Sequence, residues 1–515
     1  MNDTTRAQIQ SLIRSSPTTD WTYLAEGGAH LVFSYCGNEP SIQNKVLRIR
    51  KTHLEPRSGN DTGAKPGRYE CARNYLATTI TPSLVPPELL PMECKVTLNA
   101  EWVHKLERGS LDLRPKERIS SRRYPSNHQH STSPTSFQAS LVENLLGGEG
   151  DIAIEIKPKC GFLPDPRYLS SESKTVKTKY CRFCMHRSLR ETRPTHQTEK
   201  PPSASLTGLA SNSTTWDYCP LDLFSGDRRR RLHAVDQLFD SWLRTAARGN
   251  NFRVFASGKA IVPGLHKADA YIDGRSLNLP RETTDGKKCD NDTTNTTGIT
   301  EFEPAREALC NAISHALDRH TVIPLLYALQ QEFDPLGIEG LGRRSESLHS
   351  GSTGGKKKVF PEALLVDPTT EELNLVQEYW LRSRPAGEDR HRGNAREAES
   401  ASAVAKRSLQ LDEASDLRSL LVFHGISAIF KDCSIIIRFP NARKREGLID
   451  ESLQDLSLDP IHAIIKIIDL DLKPLQKANK WFELDDEIWR AYRERIELER
   501  LLVSHDFRWP RTCQA

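Results

Sequence analysis

Two lysines, Lys157 and Lys159, leave the end of the run Asp151–Ile156 two residues apart, so in an extended chain they point the same way. Two cations on one side of a strand end suit an anionic ligand, although a solvated basic turn reads the same. Two acids stand at the edges of later apolar runs, Asp432 just before Ile435–Phe439 and Asp469 just after Ile464–Ile468. A carboxylate in such a place can hold Mg²⁺ beside phosphates, and a second can orient or deprotonate an attacking hydroxyl. Turn and cap roles are equally open to both. Upstream, Glu26-Gly27-Gly28-Ala29-His30 offers small residues whose N–H groups could approach a phosphate, or simply a hairpin turn. Arg48, Arg50 and Lys51 follow on the next strand. Glycine loop, basic strand, double-lysine strand and two late acids is the order of parts in a kinase-like phosphotransferase. HRD, DFG and APE motifs are missing, which excludes a protein kinase. The cation pairs Lys157/Lys159, Arg182/Arg190 and Lys473/Lys477 exceed what a peptide or sugar needs and suit a polyphosphorylated small molecule.

These residues must be held by strands and helices, and hydrophobic periodicity shows where. Ile152, Ile154 and Ile156 alternate with Ala153, Glu155 and Lys157 in strand fashion, and Pro158 to Pro164 end the strand in a loop. Leu31–Phe33 and Val46–Ile49 predict two strands joined by a polar connection, and 95–106 predicts another. Asn250-Asn251 turns into a strand at Phe252–Phe255, and Ile435–Phe439 and Ile464–Ile468 are buried strands. Helices are expected at Tyr69–Ala77, after Ser225-Gly226-Asp227, at 303–319, 322–333 and 480–503. Arg182, His186 and Arg190 share one helical face. Polar stretches at 120–138, 193–215, 281–300, 343–358 and 383–407 read as flexible inserts.

The chain has 515 residues, 72 basic against 68 acidic, so its net charge of +4 leaves anion binding to local clusters. No run approaches the roughly eighteen apolar residues of a membrane span, and the start lacks an apolar signal core. A soluble intracellular protein is expected, nuclear and/or cytoplasmic, a monomer with no nucleic-acid or membrane partner. Arg228–Arg231 suits either nuclear import or a solvated first helical turn. Eleven scattered cysteines fit reduced thiols. Cys181-x-x-Cys184 could begin a zinc site, but no second CxxC or HxxxH lies at matching distance, so no structural zinc is expected.

The blocks EIKPKCGFLP (155–164), RFCMH (182–186), PLDLFSGD (220–227), NNFRVF (250–255), KDCSIII (431–437) and IDLDLKPL (468–475), in this order, closely resemble the inositol-pentakisphosphate 2-kinase family. EGGAHLV (26–32) and KVLRI (45–49) fit its N-terminal part, and the long inserts suggest a fungal-type member. The resemblance implies an α+β, two-lobed fold related to inositol-polyphosphate and protein kinases, with lobes over 1–150 and 151–515. It implies ATP- and Mg²⁺-dependent phosphorylation of the 2-hydroxyl of inositol 1,3,4,5,6-pentakisphosphate, giving inositol hexakisphosphate. A related kinase of different specificity, or a non-catalytic inositol-phosphate scaffold, are the alternatives. Carried over by motif, Gly27, Gly28 and Ala29 would form the phosphate loop and Arg48 would contact nucleotide phosphate. Glu155 would lie by the adenine, and Lys157, nearby, would touch nucleotide or transferred phosphate as a catalytic and cofactor-binding residue. Arg118, Lys159, Arg190, Asn250, Asn251, Arg253, Lys473 and Lys477 would grip inositol phosphates. Asp432 would be the base and Asp469 would carry Mg²⁺. Some members have a Cys/His zinc knuckle before the KDCSI block, where this chain has only Cys289 and Cys310 at poor spacing.

Overall fold

The first half of the fold grows from short alternating strands. In a computed structural model, which describes residues 3–26, 30–50, 68–114, 136–192, 218–247, 249–263, 271–272, 275–276, 303–348, 358–383, 417–442, 458–502 and 513, Trp21–Glu26 (β1), His30–Tyr35 (β2), Lys45–Arg50 (β3), Glu93–Asn99 (β4) and Ser136–Glu143 (β5) form one antiparallel sheet, ordered β1-β2-β3-β5-β4. On β2 every second residue is buried, so Leu31, Phe33 and Tyr35 face a core with Trp21, Leu47, Ile49, Val96 and Leu98. The helices Asp3–Ser15 and Ala100–Gly109 cover that core with Ile9, Ile13, Val103 and Leu106. The strand expected over 95–106 therefore stops at Asn99. The Asn99 side chain accepts a hydrogen bond from the Glu101 N–H and starts a helix.

The second sheet is ordered β12-β11-β6-β7-β8, with every neighbour antiparallel. Its strands are Ile152–Ile156 (β6), Phe252–Ala256 (β7), Lys259–Ile261 (β8), Ser434–Phe439 (β11) and Ile464–Ile468 (β12). Tyr271–Ile272 (β9) and Arg275–Ser276 (β10) pair with each other as a short two-stranded sheet next to β8. All five residues of β6 are buried because it is the central strand, with neighbours on both edges and side chains covered on both faces. The helices Arg228–Arg244, Glu303–Arg319, Val322–Glu332, Thr370–Arg382 and Leu417–Lys431 enclose it in the largest core, around Phe239, Trp242, Phe333, Trp380 and Phe430. Asp227 caps the first of these, its carboxylate accepting from the Arg229 and Arg230 N–H groups, as the Ser-Gly-Asp signal predicts.

The long helix Ala478–Leu502 packs Ile488, Trp489 and Tyr492 on the helices Ser171–Lys177 and Arg182–Thr192. Buried Lys177 bridges Glu339 and Asp485, and Arg182 Nε donates to Asp485 at 3.1 Å. Arg182, its side chain partly exposed, is engaged by that carboxylate. Three of the expected inserts include described residues, the 383–407 stretch only at Ser383. β5 begins at Ser136, and the helix Gly337–Leu348 takes in the first residues of the 343–358 stretch. The stretches 193–215 and 281–300, and residues 384–407, lie outside the described residues.

Candidate active site

Antiparallel pairing brings the chemistry to one edge of the second sheet. β6 ends where β11 and β7 begin, because Ile156 pairs with Ile435 and with Phe252. β12 ends at the same edge, since Ile468 pairs with Ser434. Lys157 and Lys159, Asn251, Asp432 and Ser434, and Asp469 therefore gather from four strand termini.

Two ion-pair groups result. Lys157 Nζ stands 3.1 Å from Asp469 Oδ2 and 3.9 Å from Glu155 Oε1. Ser434 Oγ reaches both Glu155 Oε1 at 2.8 Å and Asp469 Oδ2 at 3.2 Å. Beside it, Asp432 is bridged by Lys159 Nζ at 3.2 Å and Lys473 Nζ at 2.7 Å. Burial disfavours the charge on Lys157, but Asp469 and then Glu155 outweigh it and hold the ammonium above its ordinary range. At Lys159 burial wins over Asp432, and the ammonium is pulled down. Burial pushes the Asp432 carboxyl up, yet Lys473 foremost and Lys159 next keep it below the usual carboxylate range.

The loop carrying the lysines is fixed from behind. Lys159 and Asp469 both adopt left-handed backbone, with φ of 65° and 62°, a strained setting that the surroundings must enforce. Buried Gln330 accepts from the Gly161 N–H at 2.9 Å and donates to the carbonyls of Lys159 and Phe430, each at 2.9 Å. Tyr218 Oη donates to the Pro158 carbonyl at 2.7 Å. A side chain at Gly161 would collide with the Phe224 ring, which ties the glycine of KPKCG to close packing. From the first half of the chain, Tyr69 Oη donates to the Leu472 carbonyl at 3.1 Å, and Arg73 lies 3.8 Å from Asp471.

The remaining expected residues fall as follows. Asn251 gives its carbonyl to the Lys157 N–H at 2.9 Å, and its buried Oδ1 has no protein partner among the described residues. Arg253 is largely exposed, 3.6 Å from Glu155 Oε2. Asn250 is exposed on the same turn. Lys477 is exposed one 3-10 turn beyond Lys473, and Arg190 is exposed on the helix Arg182–Thr192. Arg48 sits on β3 with a guanidinium nitrogen 3.5 Å from His30 Nδ1. Gly27, Gly28, Ala29 and Arg118 lie outside the described residues. At the base of that glycine segment, Arg114 clamps Glu26 with two hydrogen bonds, of 2.8 and 2.9 Å, both side chains almost fully buried.

Sequence reasoning missed Ser434, Gln330 and Arg73. Ser434 was within reach, two residues from Asp432 in the same block. Gln330 carries no local signal, because its partners lie a hundred or more positions away in the chain. The ground for expecting no structural zinc also fails: Cys219 and Cys513 converge on Cys181 and Cys184 in space although neither is near them in sequence.

A profile of the family described as inositol-pentakisphosphate 2-kinase matches residues 23–487 of this chain. A Cryptococcus neoformans protein named inositol-pentakisphosphate 2-kinase is 29% identical over 484 residues, covering 92% of this chain and 94% of that protein. One of the same name from Arabidopsis thaliana is 25% identical over 519 residues, 95% of this chain and 97% of its own. A zebrafish protein of that name is 33% identical over 136 residues, 26% of this chain and 23% of its own.

Proposed function

The chain belongs to the inositol-pentakisphosphate 2-kinase family, and from that premise we propose that it transfers the γ-phosphoryl group of ATP to the 2-hydroxyl of inositol 1,3,4,5,6-pentakisphosphate, giving inositol hexakisphosphate. The observation that carries this reading is Asp432 held between Lys159 and Lys473, 3.2 and 2.7 Å away, next to the Lys157–Asp469 pair. A carboxylate ringed by ammonium groups at a strand edge is suited to a polyanionic acceptor whose reacting group is a neutral alcohol.

On this reading the two sheets are the two lobes of a kinase-like enzyme. The glycine segment Gly27-Gly28-Ala29, with Arg48, serves the ATP phosphates, and Glu155 lies toward the adenine. Lys157 neutralises the phosphoryl group in flight. Lys159, Lys473, Lys477, Asn251 and Arg253 hold the inositol phosphates, joined by Asn250, Arg190 and Arg118. The unpartnered Asn251 Oδ1 supports the assignment, because a buried amide without a partner is expensive unless a ligand supplies one. Asp432 orients the 2-hydroxyl and takes its proton. A carboxyl with a depressed pKa is a weak base. Phosphates that draw Lys159 and Lys473 away would remove the charges that depress it, so basicity rises when the acceptor is seated.

The donor set suits Mg²⁺. Asp469 presents a half-exposed carboxylate from strained left-handed backbone, and Asp471 follows two residues later with its side chain half exposed. Mg²⁺ bound there would screen the β- and γ-phosphate charge. The enzyme is read as a monomer of nucleus or cytoplasm, and no helix among the described residues is long and apolar enough to cross a membrane.

The test is direct. Full-length protein with Mg-ATP and inositol pentakisphosphate should yield one product, phosphorylated at the 2-position by ³¹P and ¹H NMR. Phosphorylation elsewhere on the ring, or equal rates on tris- and pentakisphosphates, would overturn the assignment.

A further inference from the structure

One buried side chain joins the two segments on which the proposed base and its lysine stand. Gln330 lies near the end of the helix Val322–Glu332 and has no exposed surface. Its Oε1 accepts from the Gly161 N–H, and its Nε2 donates to the carbonyls of Lys159 and Phe430, each bond 2.9 Å long. An amide nitrogen carries two hydrogens, and here each goes to a different carbonyl. A glutamate of the same shape would set an oxygen against both carbonyls. An apolar isostere would strip a partner from three backbone groups at once.

Lys159 carries the ammonium that stands 3.2 Å from Asp432, and the two residues are 273 positions apart in the chain. Phe430 comes two residues before Asp432, in the last turn of the helix Leu417–Lys431. The Asp432 N–H donates to the Ile429 carbonyl at 3.1 Å, so the acid rides directly on that helix end. Lys159 holds a left-handed φ of 65°, and the bond from Gln330 to its carbonyl helps keep the strained loop in that shape. The staple is itself held. Ser427 Oγ, on the helix of Phe430, donates to the Gln330 carbonyl at 2.6 Å. Lys431, paired with Asp334, places its ammonium 4.9 Å from the centre of the Phe162 ring, so helix end and lysine loop also touch on a second side.

We propose, on the reading of Asp432 as the base and Lys159 as a ligand of the acceptor's phosphates, that Gln330 is a positioning residue for phosphoryl transfer. It bonds the backbones beneath both residues and so sets the distance between the acceptor-binding cation and the base, without touching substrate. When phosphates draw the Lys159 ammonium off the carboxylate, the side chain moves and the stapled backbone stays. Asp432 thereby keeps its place over the reacting hydroxyl. Without the staple the two segments can shift against each other, and a misplacement of about 1 Å costs up to about 10²-fold in rate. Arg48 stands on β3 in the other sheet, so the effect belongs to the acceptor side and leaves the nucleotide side alone.

The experiment sets Gln330→Met, close to glutamine in length and volume, against wild type in the full-length protein, alone and combined with Asp432→Asn. Alone it should lower kcat with inositol pentakisphosphate by about 10–10²-fold and leave KM for ATP within about twofold. In the Asp432→Asn background the same change should cost less than about threefold, because a residue that acts through the base has nothing left to position. Circular dichroism and the melting curve give the folded fraction, and kcat is taken per folded molecule. Where Gln330→Met does not fold, Gln330→Asn, which keeps the amide but falls a methylene short of its partners, is read in the same way. Full kcat in a folded Gln330 variant, or equal losses with and without Asp432→Asn, overturns the proposal. So does failure of both variants to fold, which makes Gln330 a residue of stability alone. Failure of the underlying reading looks different: Asp432→Asn by itself then retains turnover, and the role of Gln330 falls with it.

Discussion

Replacing Asp432 by Asn separates binding from turnover. The carboxylate is 55% exposed and paired with two ammonium groups at 2.7 and 3.2 Å. Half-exposed pairs of this kind are worth about 0–1 kcal/mol each, so the variant should keep its fold and lose at most a few degrees of melting temperature. Asn cannot take a proton, and loss of a general base lowers kcat by about 10²–10⁴-fold. Binding should move the other way. In the free enzyme Lys159 and Lys473 must leave Asp432 before they can grip phosphates. Freeing both returns about 1 kcal/mol in sum, which lowers KM for inositol pentakisphosphate by about fivefold. Steady-state kinetics on the purified variant, with a direct binding titration beside it, reads both quantities. A kcat within about tenfold of wild type, or a KM that rises as kcat falls, refutes the assignment of Asp432 as the group over the reacting hydroxyl.

The other side of the same pair should behave oppositely: Lys473→Ala should raise KM for inositol pentakisphosphate by about tenfold or more and flatten its dependence on salt, with KM for ATP nearly unchanged. Gly161→Ala should destabilise by about 1–3 kcal/mol through the clash with Phe224, and Phe224→Leu should recover part of that loss in a denaturation double-mutant cycle. Acid should unfold the protein through its buried carboxylates. Burial alone would raise Asp334 and Asp485, but His424 with Lys431, and Lys177 with Arg182, overcome it and hold both below the ordinary range. Such groups contribute stability that is complete above their unfolded value of about 4 and fades as pH falls through the folded one. The melting temperature should therefore drop steeply below about pH 4, and Asp334→Asn should start lower at neutral pH and show a shallower acid slope.

How much of this could be read from residue order depended on distance along the chain. Strand-end chemistry is local, so Lys157, Lys159, Asp432 and Asp469 announced themselves by standing beside apolar runs that became β6, β11 and β12. Buried strands of isoleucine are hard to mistake once bounded by polar turns. The boundary at Asn99 went wrong because a cap and a strand residue look alike until the side chain is seen on the Glu101 N–H. Gln330 and Cys513 were out of reach for a different reason. Their partners are set by tertiary folding across a hundred residues or more, and spacing rules for metal or loop motifs assume neighbours in sequence.

The lysines around Asp432 also explain how so cationic an edge can exist before substrate arrives. Lys157, Lys159 and Lys473 repel one another, and burial already pulls Lys159 down. Asp469 holds the Lys157 ammonium above its ordinary range, and Asp432, 3.2 Å from Lys159 Nζ and 2.7 Å from Lys473 Nζ, offsets the repulsion among the cations. On the proposed reading, the same contacts keep Asp432 a poor base until the phosphates of a correct acceptor compete for its lysines. A sparsely phosphorylated ring would leave at least one lysine on the carboxylate, and its hydroxyl would face a base still switched down. Discrimination by phosphate number then appears in kcat as well as in KM, and rates across a series of inositol phosphates should fall faster than their affinities.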